Sequence, residues 1–217
     1  MLKVKNNGNL IIISGPSGAG KGTICKELIR RNENIIPSIS FTSRSIANGE
    51  KEGVDYFYIS KQEFENKIKE GFFLEYAIVH NNDYYGTPKD KVLEYLNKGY
   101  NVILEIDIEG ALKVKEIMKD VLCIFILPPS MKELRNRLYK RNRESEDKIL
   151  ARFKKAYQEI NEIKKYNYVV VNDEVINAVN KIEAILLAEK CRVDRIEELD
   201  LDTLEESVHE DLIKRDK

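Results

Sequence analysis

The chain has 217 residues, 42% of them hydrophobic and 34% charged, enough apolar material for one core beneath a well-solvated surface. Its formal net charge of −1 argues against a nucleic-acid binder that works through bulk positive charge, and no apolar run is long enough to span a bilayer. Cys25, Cys123 and Cys191 are widely spaced with no C-x-x-C pairing, which favours reduced thiols, and His80 and His209 are too few and too isolated for a zinc site; with a polar start from Met1 to Asn9, the expected compartment is the cytoplasm.

Apolar runs alternate with helical patterns along the chain, which predicts an α/β fold with a parallel sheet flanked by helices. Leu10–Ser14 reads as the first core strand, and it leads directly into S-G-P-S-G-A-G-K-G-T from Ser14 to Thr23. An amphipathic helix carrying Ile24, Leu28 and Ile29 follows, to about Asn32. Gly15, Gly18 and Gly20 have no Cβ, so the backbone can take left-handed angles and close on an anion. The unpaired N–H groups and the dipole of the following helix start favour the same anion, and Lys21 adds a mobile cation for β- and γ-phosphates. Gly22 stands where many such loops carry a metal-binding hydroxyl, which leaves Mg²⁺ either to waters and phosphate oxygens or to Thr23.

The segment Ile36–Tyr58 is mixed, with short β-like runs at Ser38–Phe41 and Tyr56–Ile59 around the polar loop Ala47–Gly53. Ser60-Lys61-Gln62-Glu63 reads as a capping box opening a helix to about Glu70, stopped by Gly71; Phe72–Val79 reads as a strand, and Thr87 and Pro88 as the cap and first residue of the next helix. The residue types here suit a small nucleotide. Arg44, Tyr56 and Tyr85 can donate to a monophosphate, while Ser40, Glu75 and Thr87 can read a base edge. A carboxylate accepts two hydrogen bonds side by side, matching the N1–H and N2–H₂ of guanine, whereas adenine would set a lone pair against it. The alternative is that Glu75 is a strand-end surface carboxylate and the tyrosines are packing.

Val102–Asp107 predicts a buried strand with acids at its carboxyl end, where open α/β sheets bind ligands. Asp107 either handles Mg²⁺ or caps the next helix, Ala111–Met118. Val121–Leu127 is a further strand, ended by Pro128-Pro129; Ser130 then caps a long polar helical stretch that breaks near Asn142 and resumes to about Lys165. That stretch carries Arg135, Arg137, Arg141, Arg143 and Arg152, either a phosphate-neutralising cluster or a solvated charged face interleaved with Glu133, Glu144, Glu146 and Asp147. Tyr168–Val171 and Val175–Ala188 are the final strand and helix, and the acidic tail from Asp194 reads as an appendage helix.

The order of these motifs resembles the guanylate kinases, within the nucleoside monophosphate kinases. The resemblance runs from about Asn9 to Lys190 through I-I-I-S-G-P-S-G-A-G-K-G-T (11–23), S-I-S-F-T-S-R (38–44), G-E-K-E-G-V-D-Y (49–56), F-L-E-Y-A (73–77), Y-Y-G-T-P (84–88), L-E-I-D-I-E-G (104–110), I-F-I-L-P-P-S (124–130) and V-V-N-D (170–173). It implies a P-loop core over about 9–37, 91–127 and 166–190, a mixed α/β GMP-binding insertion over about 38–90, a helical lid over about 128–165 and an appendage over about 191–217. It also implies transfer of the γ-phosphoryl of ATP to GMP, and to dGMP, with Mg²⁺ as cofactor and without nucleic acid, membrane or obligatory protein partner.

By the same resemblance, Gly15, Pro16, Ser17, Gly18, Ala19, Gly20, Lys21, Gly22, Thr23, Arg137 and Asn172 would bind ATP. Ser40, Glu75, Thr87 and Asp107 would meet guanine, and Arg44, Tyr56, Tyr85, Arg141 and Arg152 the GMP phosphate. Lys21, Arg44, Arg137, Arg141 and Arg152 would act on the transferring group, with Asp107, through water, and Thr23 at the metal. Two positions depart from the family pattern: Ala47 replaces a second arginine three residues after Arg44, with Ile46 in place of a proline, and Gly22 replaces the loop hydroxyl. Two other readings stay open on the residues alone: a P-loop kinase for AMP or a small phosphorylated sugar, and a phosphopeptide-binding scaffold module.

Overall fold

The computed structural model describes residues 2–4, 8–79, 83–140 and 146–199. In chain order the elements are β1 (Leu2–Val4), β2 (Leu10–Ser14), α1 (Lys21–Arg31), β3 (Ile35–Pro37), β4 (Phe41–Thr42), β5 (Phe57–Tyr58), α2 (Lys61–Lys69), β6 (Phe73–Val79), β7 (Asp83–Pro88), α3 (Lys89–Asn97), β8 (Asn101–Glu105), α4 (Ile108–Ile117), β9 (Leu122–Leu127), α5 (Met131–Lys140), α6 (Glu146–Asn161), β10 (Tyr168–Val171), α7 (Val175–Glu189) and β11 (Ile196–Leu199).

The main sheet is parallel throughout, in the order β10-β9-β2-β8-β3. All five residues of β2 are buried, so the unbroken Leu-Ile-Ile-Ile run is that of a strand covered on both faces rather than an alternating one. One covering layer packs Leu10, Ile12, Val102 and Leu104 against Val92 and Leu96 of α3 and Ala111 and Val114 of α4. The chain leaves β2 toward β3 on one side, and after β8 it crosses to β9 on the other. That reversal opens a crevice at the carboxyl end of β2, where the glycine-rich loop lies.

A second sheet, β5-β4-β7-β6, is mixed: β4 runs parallel to β5, while the β4–β7 and β7–β6 pairs are antiparallel. Its two-residue strands are held largely by aromatic packing, with Phe41 stacked on Phe57 at 4.8 Å and Phe64 stacked on Phe73 at 4.3 Å and Tyr84 at 5.1 Å. Helices α5 and α6 have their own apolar seam of Leu134, Leu138, Ile149 and Ala156, which explains why so polar a stretch folds as helix.

The expected caps are present: the Ser60 hydroxyl accepts from the Glu63 N–H at the start of α2, and the Ser130 hydroxyl accepts from the Glu133 N–H before α5. Two expectations are corrected. Thr87 does not cap a helix: Tyr84 through Pro88 belong to β7, Pro88 is the N-cap of α3, and the Thr87 hydroxyl is engaged elsewhere. The tail is not helical at Ile196–Leu199, which pairs antiparallel with Leu2–Val4. The chain divides into two compact units, residues 7–182 and residues 1–6 with 183–217, and the β1–β11 pair belongs to the second. Arg141, Arg143, His80, His209 and the rest of the tail lie outside the described residues.

Candidate active site

The loop between β2 and α1 has the conformation its glycines permit. Gly15, Gly18 and Gly20 have φ of 138°, 88° and 94°. A Cβ on Gly15 would stand 2.4 Å from the Ile126 carbonyl oxygen, and one on Gly20 would stand 2.3 Å from the Asn172 amide nitrogen, so both positions require glycine. The loop is locked from behind. The Asn172 side chain donates to the Ala19 carbonyl at 2.7 Å, and Arg137 donates to the Ala19 and Asn172 carbonyls at 3.4 and 3.3 Å while pairing with Glu133. Lys21 folds over the loop and donates to the carbonyls of Gly15 and Pro16 at 2.7 and 3.3 Å.

Two clefts flank this loop. The larger, about 520 Å³, brings together Gly15, Ser17, Lys21 and Gly22 from the loop and its helix, Ser40 and Tyr56 from the second sheet region, and Glu105 and Asp107 from the end of β8. The smaller, about 260 Å³, is lined by Gly18, Gly20, Thr23, Arg137, Asn172, Asp173 and Val175. Thr23 and Asp107 therefore line different clefts. Pro16 and Ala19 are part of the loop itself, and Arg152 is half-buried on α6 outside both linings.

Beside the larger cleft, Glu75 of β6 is buried, and its Oε1 accepts from the Thr87 hydroxyl of β7 at 2.7 Å, a cross-strand pair set by the Glu75–Thr87 register. Burial is the main force pushing its carboxyl up to about 7; the charge of Asp107 adds to this, and the Thr87 hydrogen bond opposes it. Asp107 caps α4, its Oδ1 accepting from the Gly110 N–H at 2.8 Å, so the capping reading of this residue holds while it also lines the cleft. Gly110 leaves room for both acids: a Cβ there would lie 2.8 Å from Glu75 Oε2 and 3.3 Å from Asp107 Oδ1.

Arg44 stands at the end of β4 in a dense polar network. Its Nε donates to the Tyr85 hydroxyl at 3.0 Å and its two Nη atoms grip Glu50 at 2.8 and 2.7 Å, with the Tyr56 ring facing the guanidinium at 5.2 Å. The hydrogen bond from Arg44 is the main force holding the Glu50 carboxyl down at about 2.

Several cleft residues were not singled out from the sequence. Glu105, two residues before Asp107 on the same strand end, has its carboxylate 3.3 Å from where a Gly22 Cβ would stand, and strand periodicity carried that signal. Lys155 and Glu159 reach the same cleft from α6; they lie four apart on a helix whose place against the sheet no local pattern reveals. Burial is the main force raising the Glu159 carboxyl, with Lys155 and Lys21 opposing it. Among the described residues no group of three or more His, Cys, Asp or Glu could hold a metal by itself. Carboxylate oxygens beside a phosphate-binding loop are nonetheless the donor set of a hard cation held mainly by substrate phosphates and water.

The comparisons with known proteins agree with this geometry. The family model described as Guanylate kinase matches residues 7–189. A guanylate kinase of Clostridium tetani is 60% identical over 94% of this chain and 98% of its own length, and one of Caldanaerobacter subterraneus subsp. tengcongensis is 57% identical over 95% and 100%. The crystal structure of guanylate kinase from Anaplasma phagocytophilum superposes with a TM-score of 0.75 at 35% identity, covering 94% of this chain and 96% of that one. With a phosphate loop at the switch point of a parallel sheet and this likeness along nearly the whole length, the chain belongs to the guanylate kinase family, which phosphorylates GMP using ATP.

Proposed function

We propose that this chain transfers the γ-phosphoryl of ATP to GMP, and to dGMP, within the cleft described above, with Mg²⁺ accompanying ATP, and so supplies guanine nucleotides in the cytoplasm. The observation that carries the assignment of the acceptor is the buried Glu75–Thr87 pair beside Asp107: a carboxylate held out of water needs donors, and a guanine edge provides two side by side. Ser40, which lines the cleft, joins that pair at the base edge, while Tyr56 of the same cleft and Arg44 with Tyr85 supply donors for the acceptor's phosphate. In this reading residues 38–90 are the GMP-binding insertion and 128–165 the lid, which brings Arg137, Arg141 and Arg152 to the phosphates; the core comprises 9–37, 91–127 and 166–190, and 191–217 is an appendage.

The acceptor is itself an anion, so the transfer needs no strong general base; it needs positioning and charge neutralisation. Backbone N–H groups of the loop between Ser17 and Thr23, apart from that of Ala19, which donates to the Pro16 carbonyl, cradle the donor's phosphates, and Lys21 turns from the Gly15 and Pro16 carbonyls toward the β- and γ-oxygens. Arg137, already fixed by Glu133 and the loop carbonyls, stands at the smaller cleft, which takes the remainder of ATP with Asn172 and Thr23 at its wall. Mg²⁺, when bound, would supply charge neutralisation to the donor's phosphates, and Glu105 and Asp107 would hold it through water. Closing the insertion and the lid over both nucleotides keeps water from competing with GMP.

A coupled assay of ADP release, run with GMP, dGMP, AMP, UMP and CMP, tests this reading. GDP formation with GMP, and AMP poorer by about 10⁴ for a site built on base hydrogen bonds, is the expected outcome. Comparable rates with AMP and GMP would remove the guanine assignment.

A further inference from the structure

We propose that Tyr58 and Glu50 are positioning residues for the acceptor's phosphate: the tyrosine hydroxyl anchors the carboxylate, and the carboxylate anchors Arg44, in a chain with Ala47 where a second arginine is the family pattern. This rests on the GMP seat proposed above. Glu50 grips the guanidinium as a fork, Oε1 to Nη2 at 2.7 Å and Oε2 to Nη1 at 2.8 Å. Oε2 also accepts from the Ala47 N–H at 2.8 Å and from the Tyr58 hydroxyl at 2.7 Å. Nη1 donates a second time, to the Ser45 carbonyl at 2.9 Å, and Nε donates to the Tyr85 hydroxyl.

Four of the five Arg44 N–H groups thus have acceptors among the described residues, which leaves one on Nη2 for a ligand oxygen. The Tyr85 hydroxyl, having accepted from Arg44, keeps its own proton to donate. The rings of Tyr56 and Tyr58 face the guanidinium at 5.2 and 5.7 Å. An arginine held this way loses little rotamer freedom when a phosphate arrives.

The arrangement has an electrostatic cost that makes it testable. Glu50 cancels the charge of Arg44, and Ala47 adds none. If bulk charge governed GMP binding, Glu50→Gln would tighten it. If fixed geometry governs, the same change releases Arg44 and weakens binding. Tyr58→Phe removes one hydrogen bond and no charge, so bulk charge predicts no effect.

The experiment measures kcat and KM for GMP and ATP, and binding of GMP and of guanosine, in Glu50→Gln, Tyr58→Phe, Arg44→Ala and Glu75→Gln. Glu50→Gln is expected to raise the KM for GMP about tenfold or more, the loss for hydrogen bonds to a charged group, and Tyr58→Phe about three- to tenfold. The KM for ATP and the binding of guanosine, which has no phosphate, should stay within about twofold. A Glu50→Gln enzyme with unchanged or lower KM for GMP overturns the proposal, as does an unaltered Tyr58→Phe enzyme or an equal loss for guanosine and GMP, which would mean general distortion. If Arg44→Ala and Glu75→Gln also leave GMP use intact, the GMP seat itself is misplaced; if they impair it while Glu50→Gln and Tyr58→Phe do not, only the anchoring role fails.

Discussion

Glu75 is the residue whose chemistry and energetics conflict most directly. Burial holds its carboxyl near 7, above its usual 4.5, so in the free protein the neutral form prevails only below about pH 7. The sign follows from linkage: the neutral group contributes stability that is full below about 4.5 and is lost as pH rises through about 7. In the proposed GMP seat guanine needs the ionised form as a double acceptor, so GMP binding should move the opposite way. The KM for GMP should fall as pH rises through about 7 and level off above it, and Glu75→Gln should remove that inflection while keeping the one due to the GMP phosphate itself. Identical pH profiles for the two enzymes would detach Glu75 from the base. In the proposed mechanism Lys21 swings to the transferring group, so Lys21→Met should lower kcat by on the order of 10²–10³ with little change in melting temperature. Wild-type turnover in that variant would take Lys21 out of the mechanism.

At the scale of elements, the loop–helix junction and the aromatic sheet make separate demands. The N-cap of α1 is a left-handed glycine pressed against Asn172, whose amide in turn holds the Ala19 carbonyl. Gly20→Ala should cost at least about 1–2 kcal/mol from backbone strain alone, and it should weaken ATP binding as well, because the displaced amide frees the loop. Calorimetry alongside ATP titration would measure both, and a Gly20→Ala protein as stable as the parent would refute the close packing. Phe64 is fully buried and stacked on two rings, so Phe64→Ala should destabilise the sheet carrying Glu75 and Thr87 by about 3–5 kcal/mol. A small change in urea unfolding would show that the aromatic cluster is not what holds these short strands.

For the molecule as a whole, the three thiols report on packing. Cys25 and Cys123 are buried; burial is the main force raising both thiols, Cys123 to about 11, whereas Cys191 is exposed. Iodoacetamide near neutral pH should label Cys191 first and the other two only on unfolding, a pattern read by intact mass. Early labelling of Cys123 would mean that the sheet opens more readily than its burial implies.

The sequence by itself determined the elements whose signals are local. The isoleucine run of β2, the glycines and lysine of the loop, and the Ser60 and Ser130 caps could be read directly, because strand burial, positive φ and N-capping are decided within a few residues. Residue types made Glu75, Thr87 and Arg44 candidates, and motif order added the family and with it their separate roles. Only the tertiary structure decided what depends on distant partners. Thr87 and Pro88 read locally as a helix start, yet both lie in a strand because β6 offers a ladder and Glu75 takes the Thr87 hydroxyl. Ile196–Leu199 looked like an acidic helix, yet Leu2–Val4 pairs with it. Glu159, Lys155 and the Tyr58–Glu50–Arg44 chain are invisible in a linear reading for the same reason: a hydrogen bond or a cleft wall is a property of two segments, and the sequence names each segment without stating which other it will meet.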